Sequence, residues 1–139
     1  MQCIYTYNAA AGVNLYTANI GEIGRLTDSG QVEVVGASTQ EPLGVIIDSE
    51  NVAAGRTSVL CCGIDKVRIG ATFTLGTTTN MGMAAADGRV DPYADVADVA
   101  ASSNNWCCGF LLGWDNVDYA DGDTKPFFFM KYPRVDTQT

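Results

Sequence analysis

The sequence predicts an all-β fold, a compact small barrel or sandwich made of two meander-like halves. Fifteen glycines punctuate a chain of 139 residues, a length that fits one domain. The segments between the glycines are short and rich in Val, Ile, Thr, Phe, Tyr and Leu, as expected of strands joined by tight turns. The turn signals also recur in the same order along the two parts of the chain, which predicts two similar units.

Each predicted strand is a short apolar or β-branched segment bounded by turn residues. In chain order the predicted strands are Cys3–Tyr7, Gly24–Thr27, Gln31–Val35, Leu43–Asp48, Thr57–Cys62, Lys66–Ile69, Thr72–Leu75, Cys107–Leu112 and Lys125–Tyr132.

One short helix is predicted from Pro92 to about Ala101. Asp91 offers an N-cap oxygen, and Pro92 suits the first turn because its missing N–H has no partner there anyway. The apolar face of this helix would consist of Tyr93, Val96 and Ala100.

The first part of the chain has two interpretations. Residues 1–16 form either an extended N-terminal arm that contacts a neighbouring protein or simply a first strand and a loop. Residues 17–139 then form the single β-rich domain. The apolar side chains that the arm would bury in a contact are Tyr5, Tyr7, Leu15 and Tyr16.

A weak internal repeat relates residues 28–60 to residues 87–129. In each copy a turn feeds a strand, a glycine-containing apolar strand follows, and a second turn feeds another strand. The corresponding segments of the first copy are Asp28-Ser29-Gly30-Gln31-Val32, Pro42-Leu43-Gly44-Val45 and Ala53-Ala54-Gly55-Arg56. Those of the second copy are Asp87-Gly88-Arg89-Val90, Cys107-Cys108-Gly109-Phe110 and Ala120-Asp121-Gly122-Asp123.

The charge balance argues against two classes of partner. Sixteen acidic residues against eight basic residues give a net charge of −8, which repels phosphate backbones and anionic lipid headgroups. We therefore expect no nucleic-acid partner and no membrane partner. The start of the chain lacks the pattern of a secretory signal, and no apolar run reaches the roughly 20 residues of a membrane helix.

The residue types also argue against an enzyme. The chain contains no histidine, so it lacks the commonest general base, the commonest metal ligand and the partner of most serine and cysteine nucleophiles. Carboxylate pairs remain possible, but spacing singles out no pair. We expect no catalytic residue, no cofactor and no metal ligand. The acidic run 115–123 lacks the full calcium-loop pattern and is interpreted as a solvated hairpin loop.

Five cysteines are arranged as Cys3, Cys61-Cys62 and Cys107-Cys108. Zinc sites prefer thiolates separated by two to four residues, and neighbours in a strand point to opposite faces. A cross-strand disulfide is a second possibility. The favoured interpretation is small buried strand residues that stay reduced in a cytoplasm.

The aromatic segment Phe127-Phe128-Phe129 lies near the end of the chain. It could form a platform for a sugar or a base, but alternation along a strand places part of such a cluster in the core and part at a subunit contact. We therefore predict Phe127 and Phe129 as contact residues.

With its turns aligned, the chain resembles the capsid cement, or head decoration, proteins of tailed phages. The segments that carry the resemblance are Asp28-Ser29-Gly30-Gln31-Val32, Pro42-Leu43-Gly44-Val45, Ala53-Ala54-Gly55-Arg56 with its strand, and Asp87-Gly88-Arg89-Val90. The resemblance implies a β-tulip-like fold and a homotrimer, made in the cytoplasm of a bacterial host. It implies binding to the major capsid protein on the outer surface of the virion, without catalysis.

Three alternatives remain open. A carbohydrate- or receptor-binding module of a phage fibre would use Trp106, Trp114 and Tyr119 as stacking faces. A carboxylate-dependent hydrolase on a β scaffold needs no histidine. The third alternative is a β-barrel subunit with an unrelated partner.

Overall fold

Nine antiparallel strands form one curled sheet and confirm the all-β prediction. The computed structural model describes residues 2–10, 18–47, 55–74, 80–93, 106–112 and 118–132, and none of these residues is helical. The strands are β1 (Cys3–Asn8), β2 (Ile23–Leu26), β3 (Val32–Val34), β4 (Gly44–Ile47), β5 (Arg56–Arg68), β6 (Met81–Ala84), β7 (Val90–Pro92), β8 (Cys107–Leu111) and β9 (Thr124–Tyr132).

Strand β5 connects the two halves of the fold. Its first part pairs with β1 on one side and β4 on the other, whereas its last part, from Gly63 to Arg68, pairs with β9. Gly63 has φ of 129°, a backbone conformation that side chains rarely allow, and it lies where β5 passes from one half to the other. The sequence predicted two strands here because glycine usually interrupts a strand.

The two halves have corresponding hydrogen-bond patterns. In the N-terminal half β1, β5, β4, β2 and β3 are paired in that order, and in the C-terminal half the order is β5, β9, β8, β6 and β7. Each half curls until the two ends of its pairing order meet at one parallel bridge. Ala9, which follows β1, meets Val32 of β3, and Ile69, which follows β5, meets Val90 of β7. The Ala10 N–H donates to the Val32 carbonyl at 2.8 Å, and the Gly70 N–H donates to the Val90 carbonyl at 2.9 Å.

The turns of the two halves correspond as well. Before β3 the Gly30 N–H donates to the Thr27 carbonyl at 2.9 Å, and before β7 the Gly88 N–H donates to the Ala85 carbonyl at 3.0 Å. Because both turns precede the strand that closes a half, they set which residue of that strand meets the parallel bridge.

Most of the apolar core lies in one cluster to which both halves contribute, and a smaller cluster lies on the other face of the N-terminal half. The large cluster consists of Ile23, Val35, Val45, Ile47, Leu60, Val67, Ile69, Phe73, Ala84, Val90, Cys108, Leu111, Tyr119, Phe127 and Phe129. The small cluster consists of Val32, Ile46 and Val59, with Tyr7, Val34, Leu43 and Cys61 packed against it. Because both halves contribute to the large cluster, it packs the two halves against each other.

The predicted start of the helix is wrong. Asp91 and Pro92 belong to β7, and the Tyr93 N–H donates to the Met81 carbonyl at 2.8 Å. β7 is the last strand of the sheet order, where a proline is tolerated because the outer side of an edge strand needs no donor. Residues 94–101 of the predicted helix lie outside the described residues.

The N-terminal segment contributes a strand to the sheet. β1 pairs with β5 from Asn8 opposite Arg56 to Cys3 opposite Cys62. Its other edge has a parallel bridge only at Ala9, beyond its end, among the described residues. Leu15 and Tyr16 lie outside the described residues.

Candidate contact surface

Strand β9 alternates between the core and the outer face of the sheet. Phe127 and Phe129 are completely buried in the large core cluster, so neither side chain presents a surface to a partner. This placement corrects the prediction of these two residues as contact residues. Phe128, the residue between them, points to the opposite face because successive strand residues alternate, and it is only half-buried.

The outer face of the C-terminal half carries a row of four apolar side chains across four adjacent strands. Ile64 on β5 pairs with Phe128 on β9, Phe128 pairs with Phe110 on β8, and Phe110 pairs with Met81 on β6. Direct cross-strand partners project from the same face of a sheet. We call Ile64, Phe128, Phe110 and Met81 the apolar row.

The apolar row is ordered internally and open to solvent. The Phe110 and Phe128 rings are stacked, with centroids 5.2 Å apart and an angle of 23° between their planes. The Ile64 side chain is 49% exposed at one end of the row, and the other three members are half-buried. A row of uncharged side chains on an acidic chain is the kind of surface that proteins use for contact with other proteins.

Strand β1 offers a second apolar surface. Tyr5 is 61% exposed and Ile4 is 47% exposed, and as neighbours in a strand they project from opposite faces. Tyr7 instead packs against the small core cluster, and its hydroxyl lies 3.8 Å from the Cys61 Sγ. Of the two described tyrosines that the sequence predicted as contact residues, Tyr5 is thus placed for a contact and Tyr7 is largely structural.

The described residues among Trp106, Trp114 and Tyr119 do not form the exposed aromatic faces that a carbohydrate-binding module would need. Tyr119 is completely buried, and the Lys125 Nζ lies 4.5 Å from its ring centroid. Trp106 is half-buried next to β8, and Trp114 lies outside the described residues. A buried Tyr119 cannot stack on a sugar, which corrects its assignment in that alternative.

Three aspartates lie close to the turn before β7. Arg89 Nη1 is 2.8 Å from an Asp121 carboxylate oxygen, and Arg89 Nε is 3.5 Å from Asp87. Asp91 Oδ1 is buried without a hydrogen-bond partner among the described residues. Burial raises the pKa of the Asp91 carboxyl, and repulsion from Asp87 and Asp121 raises it further.

We expect replacement of Asp91 with asparagine to stabilise the protein at neutral pH. Because the pKa of Asp91 is higher in the folded state than in the unfolded state, the folded state holds the carboxyl proton more tightly. The free energy of unfolding therefore falls as pH rises from the unfolded-state pKa through the folded-state pKa. Thermal midpoints measured from pH 3 to pH 8 should show D91N above the wild type at pH 7, with the difference vanishing at low pH. An equal midpoint at every pH would contradict the assignment.

The acidic run near Tyr119 forms a turn where it is described. The Asp123 carboxylate accepts a hydrogen bond of 2.9 Å from the Ala120 N–H, and the Asp123 N–H donates to the Ala120 carbonyl at 3.0 Å. These contacts are those of a β-turn. In the part of the chain that the structure describes, no group of three or more Cys, Asp or Glu residues is arranged to hold a metal ion.

A shallow depression of about 230 Å³ lies between β2, the segment before β4 and the end of β9. Its charged side chains are paired: Lys131 Nζ is 2.6 Å from Glu41, and Arg25 Nε is 2.7 Å from Glu33. Charges already paired within the chain make a weaker ligand site than unpaired ones.

The apolar row contains residues that sequence reasoning missed. The sequence gives no reason to choose Phe128, because both alternating sets of β9 contain phenylalanine and the pattern does not show which set faces the core. Ile64 was missed because glycine at position 63 ended the predicted strand before it. In one continuous β5, Ile64 and Val67 are three residues apart and therefore project from opposite faces of the sheet. Because Val67 faces the core, Ile64 faces outward.

Among the described residues, no helical segment has the length and apolarity needed to span a membrane. Comparison with protein-family models finds no matching family, and comparison with curated proteins finds no significant relative.

Proposed function

We propose that this chain is a structural decoration protein that binds the outer surface of a tailed-phage head as a homotrimer and stabilises the shell. The observation that carries the proposal is the apolar row, a partly exposed, uncharged strip on a chain of net charge −8. A protein of this kind needs a rigid fold and surfaces for contact, and it needs no reactive group.

The apolar row suits contact between copies of the chain. Its members lie on four adjacent strands held by main-chain hydrogen bonds, so little backbone freedom is lost when the row is covered. The stacked Phe110 and Phe128 rings supply the large aromatic area that dominates subunit contacts. A head-to-tail contact through this row closes into a ring when the rotation between copies is 120°.

Strand β1 suits contact with the shell. Tyr5 is the most exposed of the large apolar side chains in the described part of the chain, and it lies on a strand with one largely open edge. In a trimer three such strands act together, and linked weak contacts gain roughly two to four orders of magnitude in avidity. The major capsid protein is the partner that this arrangement would serve.

We expect the substitution Ile64→Asp to dissociate the trimer and to weaken binding to undecorated phage heads by at least about 100-fold, because avidity is lost. Ile64 is half exposed and can be changed without opening the core. Sedimentation velocity measures the oligomeric state, and cosedimentation with undecorated heads, followed by cryo-electron microscopy, measures loading.

The matched control is Leu26→Asp, because Leu26 is similarly exposed, at 42%, but lies on β2 and outside the apolar row. This variant should remain trimeric and load normally. A wild-type protein that sediments as a monomer at micromolar concentration and does not bind heads would overturn the proposal.

A further inference from the structure

We propose that Cys3 and Cys62 form a disulfide bond when the protein meets an oxidising thiol–disulfide pool, and that this bond links β1 covalently to β5. The two cysteines are direct cross-strand partners in the antiparallel pairing of these strands. The inference concerns the isolated chain and stands whether or not the protein decorates a phage head.

The register brings the two cysteines together. Ile4 pairs with Leu60 and Cys3 pairs with Cys62, so Cys61 is an extra residue that forms a β-bulge. A bulge places two residues of one strand against one residue of its neighbour. Direct partners in an antiparallel pair have Cα atoms roughly 4.5 to 5.5 Å apart, and disulfides join Cα atoms about 4.4 to 6.8 Å apart.

Accessibility separates this pair from the other cysteines. Cys3 and Cys62 are half-buried free thiols at the start of β1, within reach of a small disulfide in solution. Cys107 and Cys108 are fully buried on β8, and burial raises the pKa of both thiols. Because the thiolate is the species that reacts, these two should remain reduced while the protein is folded.

Cys61 is the competing partner, and its surroundings disfavour it. Its Sγ lies 3.8 Å from the Tyr7 hydroxyl and packs with the small core cluster. Burial raises the pKa of this thiol as well. A bond between Cys61 and Cys62 would have to join adjacent residues, whereas Cys3 already lies opposite Cys62.

The reaction is two successive thiol–disulfide exchanges with glutathione disulfide. One cysteine thiolate attacks a sulfur of the glutathione disulfide, breaks its S–S bond and releases one glutathione thiolate. The second cysteine thiolate attacks the resulting mixed disulfide, forms the Cys3–Cys62 bond and releases the second glutathione. Two cysteine thiols are oxidised, one glutathione disulfide is reduced, and the two protons leave with the two glutathiones.

The bond would hold β1 in the sheet. β1 is attached along one side by its pairing with β5, and its exposed side chains Ile4 and Tyr5 belong to the candidate contact surface. A bond that closes a loop across residues 3–62 restricts the unfolded chain strongly. We expect the oxidised protein to melt about 10 °C above the reduced protein.

The test uses the purified full chain, incubated with a mixture of reduced and oxidised glutathione and then alkylated in denaturant. Intact mass should show three alkylated cysteines of the five, and peptide mapping without reduction should identify the Cys3–Cys62 link. Treatment with a phosphine reductant should restore five alkylated cysteines and lower the thermal midpoint.

Variants make the assignment specific. Cys61→Ser should retain the link and the shift in thermal midpoint, whereas Cys3→Ser and Cys62→Ser should lose both. The proposal is overturned if all five cysteines of the wild type are alkylated after oxidation, or if only glutathione adducts form. It is also overturned if peptide mapping finds Cys61 in the disulfide bond. Because the variants that lose the link keep all strand hydrogen bonds, their reduced forms should melt close to the reduced wild type.

Discussion

Substitution of Gly109 with alanine is expected to prevent folding or to lower the free energy of unfolding by more than about 4 kcal/mol. A Cβ at this position would collide with the Phe128 carbonyl oxygen and would lie 2.8 Å from Cε1 of Phe127. Both neighbours are fixed, the first as backbone and the second as a buried ring. Gly109 also has φ of 134°, which a side chain strains further.

Chemical denaturation monitored by far-ultraviolet circular dichroism measures the effect. The control is Gly36→Ala, because Gly36 is exposed and a Cβ there would meet only the end of the flexible Gln40 side chain, at 3.5 Å. G36A should unfold within about 0.5 kcal/mol of the wild type. A G109A protein as stable as that control would show that β8 and β9 do not approach each other as described.

The same close approach occurs in the N-terminal half. A Cβ on Gly44 would collide with the Leu60 carbonyl oxygen, as a Cβ on Gly109 would with that of Phe128. In each half the glycine pairs with a second glycine, Gly24 with Gly44 and Gly82 with Gly109. Pairs of glycines therefore allow each half to curl tightly enough for the first and last strands of its pairing order to meet.

Local signals in the sequence were sufficient for most strands. Alternating and β-branched segments predicted β1, β2, β3, β4, β8 and β9 to within a few residues, because each has a turn residue at its boundary. β6 was missed because Met81–Ala84 lacks β-branched and aromatic side chains and is stabilised by its neighbours. β7 was mistaken for a helix start because an aspartate before a proline suits a helix N-terminus equally well.

The candidate surface could be predicted only in part. Tyr5 followed from an uncharged aromatic segment near the start of the chain, and the structure has it exposed. The apolar row depends on the register between four strands that are distant in sequence, such as Ile64 with Phe128. Register between distant strands is set by the whole sheet and by its bulges, so no local pattern reveals it.

The two halves share one hydrogen-bond pattern, but corresponding strand edges in them have different partners. The edge that β1 leaves largely open in the N-terminal half corresponds to the last part of β5, where the Arg68 N–H donates to the Gly21 carbonyl at 2.9 Å. Related positions thus have different partners in the two halves. One half therefore has an open edge at Tyr5, whereas the other half has a further partner at the corresponding edge and carries the apolar row on its outer face. The proposed shell and subunit contacts use these two different surfaces.

Truncation of Phe127 to alanine is expected to cost about 3–5 kcal/mol, because the ring is completely buried in the large core cluster and its loss leaves a cavity. Domains of this size have a free energy of unfolding of about 5–15 kcal/mol, so the variant should be marginal at room temperature. Urea denaturation gives the difference directly, with an unchanged m-value showing that both proteins unfold in the same way.

The matched control is Phe128→Ala, one residue away on the same strand. Phe128 is half-buried and loses chiefly its stacking on Phe110, so this variant should lose only about 1–1.5 kcal/mol. If the proposed trimer forms through the apolar row, F128A should also weaken it, whereas folded F127A should not. The reverse order of stabilities would mean that β9 presents its other face to the core, and the apolar row would then not exist.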